Sequence, residues 1–129
     1  MHRFEIQDES DIVATRSAAR GILTELGCSV IDKTRIATAV SELARNVLVH
    51  GGGGYVEMKI VEKEGVTGLR CVFVDDGPGI NDLSQAMESG FSTGGSMGSG
   101  LPGSRNLVDV FHIDSQAGQG TRVEIIKWV

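Results

Sequence analysis

The chain has 129 residues, of which 40% are hydrophobic and 22% charged, and this composition excludes disorder along its whole length. No apolar run approaches the ~20 residues that cross a bilayer, and the N-terminus lacks the apolar segment of a signal peptide. We therefore expect one cytoplasmic domain over residues 1–129, with no membrane association. The net charge is −5, and the 12 Lys and Arg residues are scattered, which argues against nucleic-acid partners.

Cysteine and glycine usage narrow the classes of site that the chain can carry. Cys28 and Cys71 lie far apart without metal-ligand spacing, so we expect two small buried hydrophobic side chains. The 18 glycines are concentrated in segments 51–54, 77–79 and 90–103. Glycines clustered in loops indicate backbone that approaches a ligand closely.

The first half of the chain predicts a strand and two amphipathic helices. Residues 3–7 form the strand, and a helix follows Ser10, running from Asp11 to about Leu26 before Gly27. The second helix runs from Asp32 to His50 and ends at Gly51. The apolar stripes predicted to face the core are Ile12, Ala19, Ile22, Leu23 and Leu26 on the first helix, and Ile36, Val40, Leu43 and Val47 on the second.

The second half predicts a hairpin, a glycine-rich segment and a second hairpin. Strand 55–62 alternates in polarity, and strand 69–74 is almost wholly apolar, so it should be central in the sheet. Helices grouped between pairs of strands favour an α+β sandwich of two layers over a doubly wound sheet. The remaining predicted segments are a turn at 65–68, a short helix at 82–89, a mobile segment at 90–100, a helix at 101–110, and strands at 111–116 and 121–128.

Three polar side chains recur every four residues along the second helix. Glu42, Asn46 and His50 should line one face, distinct from the apolar stripe. An Asn oxygen suits Mg²⁺, and a Glu carboxylate can accept a proton from an attacking hydroxyl. A solvated helix face is the alternative explanation.

A carboxylate follows the most apolar strand, in the segment Asp75-Asp76-Gly77-Pro78-Gly79. Such a group at the end of a core strand is costly unless it has a partner. Asp75 continues the strand and can point inward, while Gly77 and Gly79 would let a flat ring approach the backbone. An ordinary Asp/Pro/Gly turn explains the segment equally well.

Two more glycine motifs occur toward the C-terminus. Gly98-Ser99-Gly100-Leu101-Pro102-Gly103 matches G-x-G-x-x-G, but no hydrophobic strand precedes it, which disfavours a dinucleotide-binding Rossmann unit. Its glycines open a helix, and helix N-terminal amides bind phosphate. Thr121 follows Gly118-x-Gly120 and places a hydroxyl at a strand end. A plain hairpin turn is the alternative explanation of this motif.

The order of these motifs resembles the GHKL superfamily of ATPases and kinases. Residues 41–46, Ser-Glu-Leu-Ala-Arg-Asn, are similar to its N-box, Asp75-x-Gly77-x-Gly79 to its G1 box, and Gly98-x-Gly100 to its G2 box. Gly-Phe-Ser-Thr at 90–93, Gly-Leu-Pro-Gly at 100–103 and Ile-Lys-Trp at 126–128 resemble, more narrowly, the serine/threonine switch kinases of bacterial stressosomes. The resemblance implies a Bergerat-type two-layer α+β sandwich with a mixed sheet packed on helices.

The same resemblance implies roles for individual residues. Asn46 would hold Mg²⁺ and through it the phosphates of ATP, and Glu42 would be the catalytic base. Asp75 would accept a hydrogen bond from the adenine amino group. The other residues implied to bind the nucleotide are Gly77, Gly79, Gly98, Gly100, Leu101, Gly103 and Thr121.

Relatives of this type phosphorylate STAS-domain scaffold or antagonist proteins of the RsbS and RsbR kind. After release they activate a PP2C-type phosphatase of the RsbU kind. The resemblance leaves two alternatives open: an anti-sigma factor kinase, and a non-catalytic module that binds partners with ATP as a structural ligand. An intact Glu42 favours catalysis, because a scaffold needs no base beside a Mg²⁺ ligand.

Overall fold

The computed structural model describes residues 1–77, 97–116 and 118–129. In this part of the chain, five strands and three helices follow one another, and their bounds are close to those predicted. The predicted helix at 82–89 and residues 90–96 of the predicted mobile segment lie outside it. The elements are β1 (His2–Ile6), α1 (Glu9–Glu25), α2 (Val30–Val49), β2 (Gly54–Lys63), β3 (Val66–Asp75), α3 (Met97–Leu107), β4 (Val110–Gln116) and β5 (Gly120–Trp128).

The five strands form one sheet in the order β1-β2-β3-β5-β4. Every strand pair is antiparallel, so the expectation of a mixed sheet is wrong for the described strands, whereas the α+β class is confirmed. β3 is central, as its apolar sequence predicts. Leu69, Cys71 and Phe73 on one face of β3 join the core under the helices.

The helices cover one face of the sheet and make a two-layer structure. Ile36, Val40, Leu43 and Val47 of the predicted α2 stripe are all buried in the core cluster. On α1, Ile12, Ala19 and Leu23 are buried as predicted, while Ile22 and Leu26 are only partly buried. On the opposite face of the sheet, Arg70 of β3 pairs with Glu124 of β5.

Local capping and turn chemistry account for the differences at element ends. Asp8, rather than Ser10, is the N-cap residue of α1. Its side chain accepts a hydrogen bond from the Asp11 backbone amide, and the Asp11 side chain accepts one from the Asp8 backbone amide, which forms a capping box. The β2–β3 reversal uses Glu64 and Gly65, both with positive φ, which suits a two-residue hairpin turn. Gly68 therefore belongs to β3 and not to a turn at 65–68.

The two cysteines are both free thiols, but they differ in environment. Cys71 is fully buried, and this burial raises the pKa of its thiol to about 12. Cys28 is only half-buried, so the prediction of a buried side chain is met at Cys71 and in part at Cys28. Within the described ranges, no helix combines the length and the apolar character needed to span a membrane.

Candidate functional site

Three polar residues meet where β3, β5 and β4 lie side by side at one end of the sheet. Asp75 is opposite Thr121 in the β3–β5 register, and Thr121 is opposite Ser115 in the β4–β5 register. The Ser115 and Thr121 hydroxyl oxygens lie 2.8 Å apart. Because strand side chains alternate, these residues share the helix-facing side with Phe73 and Val123, two residues back toward the core.

Glycines surround Asp75 so closely that larger side chains would displace it. A Cβ at Gly51 would clash with the Asp75 side chain, and one at Gly120 with the Asp75 carbonyl oxygen. A Cβ at Gly77 would lie 2.6 Å from Gly51 Cα. The Gly77 amide in turn donates a 2.9 Å hydrogen bond to Asp75 Oδ1. The loop after β3 is thus packed against the end of α2.

Burial is the largest influence on the Asp75 carboxyl group and raises its pKa above the ordinary value. The Gly77 and Thr121 amides act in the opposite direction, because their hydrogen bonds favour the carboxylate. A carboxylate has more lone pairs than these two hydrogen bonds use. The half-buried Asp75 is therefore suited to accept a further hydrogen bond from a ligand.

Asn46 lies in the same cavity as Asp75, Thr121 and Leu101. Both of its side-chain polar atoms, Oδ1 and Nδ2, are buried, and no residue that the structure describes forms a hydrogen bond with them. The prediction that Asn46 lies on a face separate from the apolar stripe is wrong, since it is buried beside Leu43 and Val47. The residues lining the cavity are Leu43, Asn46, Val47, Phe73, Asp75, Leu101, Thr121 and Val123.

Glu42 lies one turn before Asn46 on α2 but does not line that cavity. Its half-buried side chain instead lines a groove between α1 and α2, beside Arg45. His50 is the C-cap residue of α2. Its Nε2 and the Oγ of Ser104 on α3 are buried, and neither has a hydrogen-bond partner within residues 1–77, 97–116 and 118–129. The predicted row of Glu42, Asn46 and His50 is therefore divided between a groove and the interior.

The helix that carries the glycine motif, α3, includes residues before the predicted bound at 101. Among the described residues, α3 runs from Met97, so residues 97–100 of the predicted mobile segment are helical, and Gly98 and Gly100 lie in the first described turn. Leu101 and Gly103 lie beyond that turn, and a Cβ at Gly103 would contact nothing. The predicted roles of Leu101 and Gly103 in binding the nucleotide stay predictions. Gly79, also predicted to bind, is outside the described residues.

The arrangement can bind a flat, amine-bearing ring and a hard cation at neighbouring points. Apolar walls and the Asp75 acceptor suit the ring, and the neutral Asn46 oxygen suits Mg²⁺. Mg²⁺ typically takes one or two protein oxygens together with substrate phosphates. The orphaned Asn46 amide fits that role, and within the described ranges no cluster of three His, Cys, Asp or Glu residues offers a rival metal site.

Two contributors to the site were not found from the sequence. Ser115 contacts Thr121 across the final hairpin, and the register of that hairpin could have paired them. The sequence pattern indicates only a helix end at Gly51, although this residue packs directly against Asp75. Both depend on contacts between elements distant in the chain.

Comparison with known proteins shows the family of the chain. Residues 31–128 match the family model for histidine kinase-, DNA gyrase B-, and HSP90-like ATPases. The chain is 46% identical over 124 residues to serine/threonine-protein kinase RsbT of Bacillus subtilis, covering 96% of this chain and 93% of the relative. It is 28% identical to the anti-sigma F factors of Geobacillus kaustophilus, over 100% of this chain and 92% of that one, and of Clostridium beijerinckii, over 96% and 90%.

The matched region contains α2, the end of β3, α3 and β5, which together enclose Asn46, Asp75 and Thr121. The family match implies that the chain binds ATP. The chain belongs to the family of histidine kinase-, DNA gyrase B- and HSP90-like ATPases.

Proposed function

We propose that this protein is an ATP-dependent serine/threonine kinase that phosphorylates STAS-domain scaffold or antagonist proteins of a stressosome-like signalling module. The observation that supports this most is the buried, unpaired amide of Asn46 in one cavity with Asp75 and Thr121, one helical turn from Glu42. A carboxylate next to a nucleotide site is what transfer to a hydroxyl requires.

The adenine end of the site is formed by Asp75 and its surroundings. Asp75 accepts a hydrogen bond from the exocyclic amino group, and Thr121 closes the same pocket from β5. Gly77 and Gly79 let the base approach the backbone. This assignment is supported by the inward position of Asp75, against which Gly51 and Gly120 pack closely.

The phosphate end is formed by α2 and α3. Asn46 Oδ1 is the protein ligand for Mg²⁺, which neutralises phosphate charge when it is bound. The amides of the first turn of α3, at Gly98 and Gly100, bind the phosphates, since a helix N-terminus favours anions. Leu101 packs against the cavity wall, and Gly103 continues the helix.

Glu42 acts on the acceptor. The hydroxyl oxygen of a Ser or Thr on the partner attacks the γ-phosphorus, and the bond between that phosphorus and the ADP oxygen breaks. The hydroxyl proton passes to the Glu42 carboxylate. General base contributions of this kind are worth ~10²–10⁴-fold in rate.

We further propose that the kinase changes partner after transfer. Once its STAS-domain substrate is phosphorylated, the protein is released and binds a PP2C-type phosphatase, which it activates. This order of events is what the resemblance to the switch kinases of bacterial stressosomes implies. A cytoplasmic location, expected from the sequence, stays a prediction.

The experiment is transfer of label from γ-labelled ATP to a purified STAS-domain protein of the RsbS kind. We expect label that depends on Mg²⁺ and that survives acid but not strong base, as phosphoserine and phosphothreonine do. Mass spectrometry then identifies the acceptor residue. ATP binding without transfer to any STAS-domain protein tested would favour the non-catalytic module instead.

A second candidate is an anti-sigma factor kinase, favoured by the similarity to two anti-sigma F factors. Both functions use the same nucleotide site and a STAS-domain substrate, and they differ in the second partner. Pull-down with a purified sigma factor and with a PP2C-type phosphatase separates them. We expect binding to the phosphatase, and binding to the sigma factor alone would reverse the assignment.

A further inference from the structure

Ser115 and Thr121 form a pair of hydroxyl groups beside the cavity lined by Asn46, Asp75 and Thr121, here named the nucleotide cavity. The two residues lie opposite each other in the β4–β5 register, and their hydroxyl oxygens are 2.8 Å apart. Thr121 lines the nucleotide cavity, whereas Ser115 does not. Ser115 lines a neighbouring depression of about 210 Å³, which Asp75 and Thr121 also line. An effect of Ser115 on a ligand of the cavity therefore has to pass through Thr121.

The hydrogen bonds of Ser115 fix the direction of the bond between the two hydroxyl groups. Each hydroxyl group carries one proton. Ser115 Oγ lies 3.0 Å from the Gly120 carbonyl oxygen, and it is the donor there because a carbonyl oxygen only accepts. With its proton on Gly120, Ser115 accepts from Thr121. The Thr121 hydroxyl therefore donates to Ser115, and its oxygen offers only lone pairs toward the nucleotide cavity.

Asp75 is a second acceptor beside Thr121. The two residues are opposite each other in the β3–β5 register, and the Thr121 amide donates a hydrogen bond to the Asp75 carboxylate. Two neighbouring acceptors suit an amino group, because it carries two N–H donors. They disfavour a carbonyl oxygen at the same position, because that oxygen would lose its water and meet no donor.

We propose that Ser115 is a positioning residue that makes the site select adenine over purines with an oxygen at the 6-position. It engages the proton of Thr121, so that this hydroxyl cannot turn and donate to a 6-oxo group. The inference rests on the proposed function, in which Asp75 accepts a hydrogen bond from the adenine amino group. Ser115 thus acts on the base through Thr121 and not by direct contact.

The test compares ATP with ITP, which carries an oxygen in place of the 6-amino group. Titration calorimetry with Mg²⁺ gives the Kd of each nucleotide for the wild type, Ser115→Ala and Ser115→Thr. In Ser115→Ala the Thr121 proton is free to donate into the cavity. We therefore expect the ratio of the Kd for ITP to the Kd for ATP to fall about tenfold, the equivalent of one hydrogen bond. Ser115→Thr keeps a hydroxyl group at this position and should restore the wild-type ratio.

Thr67→Val is the matched control, because it removes a hydroxyl group from the opposite end of β3. It should leave the Kd values of both nucleotides as they are in the wild type.

A double-mutant cycle tests whether Ser115 acts through Thr121. Thr121→Val removes the hydroxyl group on which Ser115 acts. Adding Ser115→Ala to Thr121→Val should therefore leave the ratio of the two Kd values unchanged. An equal effect of Ser115→Ala in both backgrounds would overturn the proposal, and so would an unchanged ratio in Ser115→Ala alone, even where both affinities fall together.

Failure of the kinase function is seen separately, because nucleotide binding is measured without a protein substrate. A protein that shows the expected ratios but transfers no phosphate keeps this proposal and loses the kinase function. A wild type that binds ATP and ITP equally, or binds neither, contradicts the proposal and also the assignment of Asp75 to the adenine amino group.

Discussion

Asn46 shows most directly how the site works against the stability of the fold. A buried polar atom without a hydrogen bond costs ~1–3 kcal/mol, and this side chain holds two such atoms. Stability alone would favour an apolar residue there, because the neighbours Leu43 and Val47 are core residues. In the proposed function, ATP and Mg²⁺ would supply the partners of this amide.

We therefore expect opposite effects on stability and binding from Asn46→Leu. Leu has the same branching and no unsatisfied polar atoms, so the free energy of unfolding without nucleotide should rise by about 1 kcal/mol. Binding of Mg·ATP should be lost. Urea unfolding and titration calorimetry measure the two quantities. Lower stability together with unchanged ATP affinity would assign Asn46 a structural role.

Asp75→Asn should change both the selectivity for the nucleotide base and the pH dependence of the free energy of unfolding. The Asn amide would oppose the adenine amino group with a donor, and loss of a charge-assisted bond costs ~1.5–3 kcal/mol. We expect ATP affinity to fall at least tenfold and the preference for ATP over GTP to disappear. Equal weakening of ATP and GTP would instead indicate a structural role for the carboxylate.

The pH dependence follows from the raised pKa of Asp75. A group whose pKa is higher in the folded state adds stability below its unfolded pKa and loses it as pH rises through the folded value. The nucleotide-free Asn variant should therefore be more stable than the wild type at neutral pH. That advantage should shrink as pH falls through the Asp75 pKa toward 3.8, the ordinary value. An advantage that is constant with pH would contradict this assignment.

At the scale of the elements, the site depends on close approach between the end of α2 and the loop after β3. Gly51→Ala would place a Cβ against the Asp75 side chain and 2.7 Å from the Val47 carbonyl oxygen. We expect the free energy of unfolding to fall by ~1–3 kcal/mol and ATP affinity to fall with it. Gly21→Ala is the control, because nothing lies near Gly21 in the middle of α1.

The control should be more stable than the wild type by roughly 0.5–1 kcal/mol, since Ala is favoured over Gly inside a helix. ATP affinity should not change in it. If Gly51→Ala behaves like Gly21→Ala in both assays, the contact between Gly51 and Asp75 does not shape the site.

Local patterns in the sequence account for the elements, and long-range contacts account for most of the errors. The α2 stripe could be predicted because the helical period is visible in the sequence. Gly68 was assigned to a turn, but it is needed inside β3, where a Cβ would lie 2.7 Å from the Trp128 ring. That ring is 60 positions away, and no local signal indicates it.

In the candidate site, too, local patterns predict some features and contacts between distant elements determine the others. The strand leading into Asp75 predicted its inward position, whereas its place opposite Thr121 depends on the β3–β5 register. Glu42 and Asn46 were correctly put one turn apart, but their separation into groove and cavity depends on how α1 packs on α2.

At the scale of the whole molecule, nucleotide and fold stability are linked. A ligand that binds only the folded state adds about 2.7 kcal/mol at a concentration 100 times its Kd. We expect Mg·ATP to raise the melting temperature by several degrees, and EDTA to remove most of that shift. Asn46→Leu should show no shift at all. A shift of equal size with and without Mg²⁺ would contradict a metal ligand at Asn46.

The central claim is that the protein transfers phosphate from ATP to a hydroxyl with Glu42 as base. The most direct measurement is single-turnover phosphorylation of a STAS-domain protein at saturating Mg·ATP, by wild type and Glu42→Gln. We predict that both bind ATP equally and that the variant transfers ~10²–10⁴-fold more slowly, with some residual activity. Wild-type turnover in the variant would remove Glu42 from catalysis, and no turnover by either protein would contradict the kinase function itself.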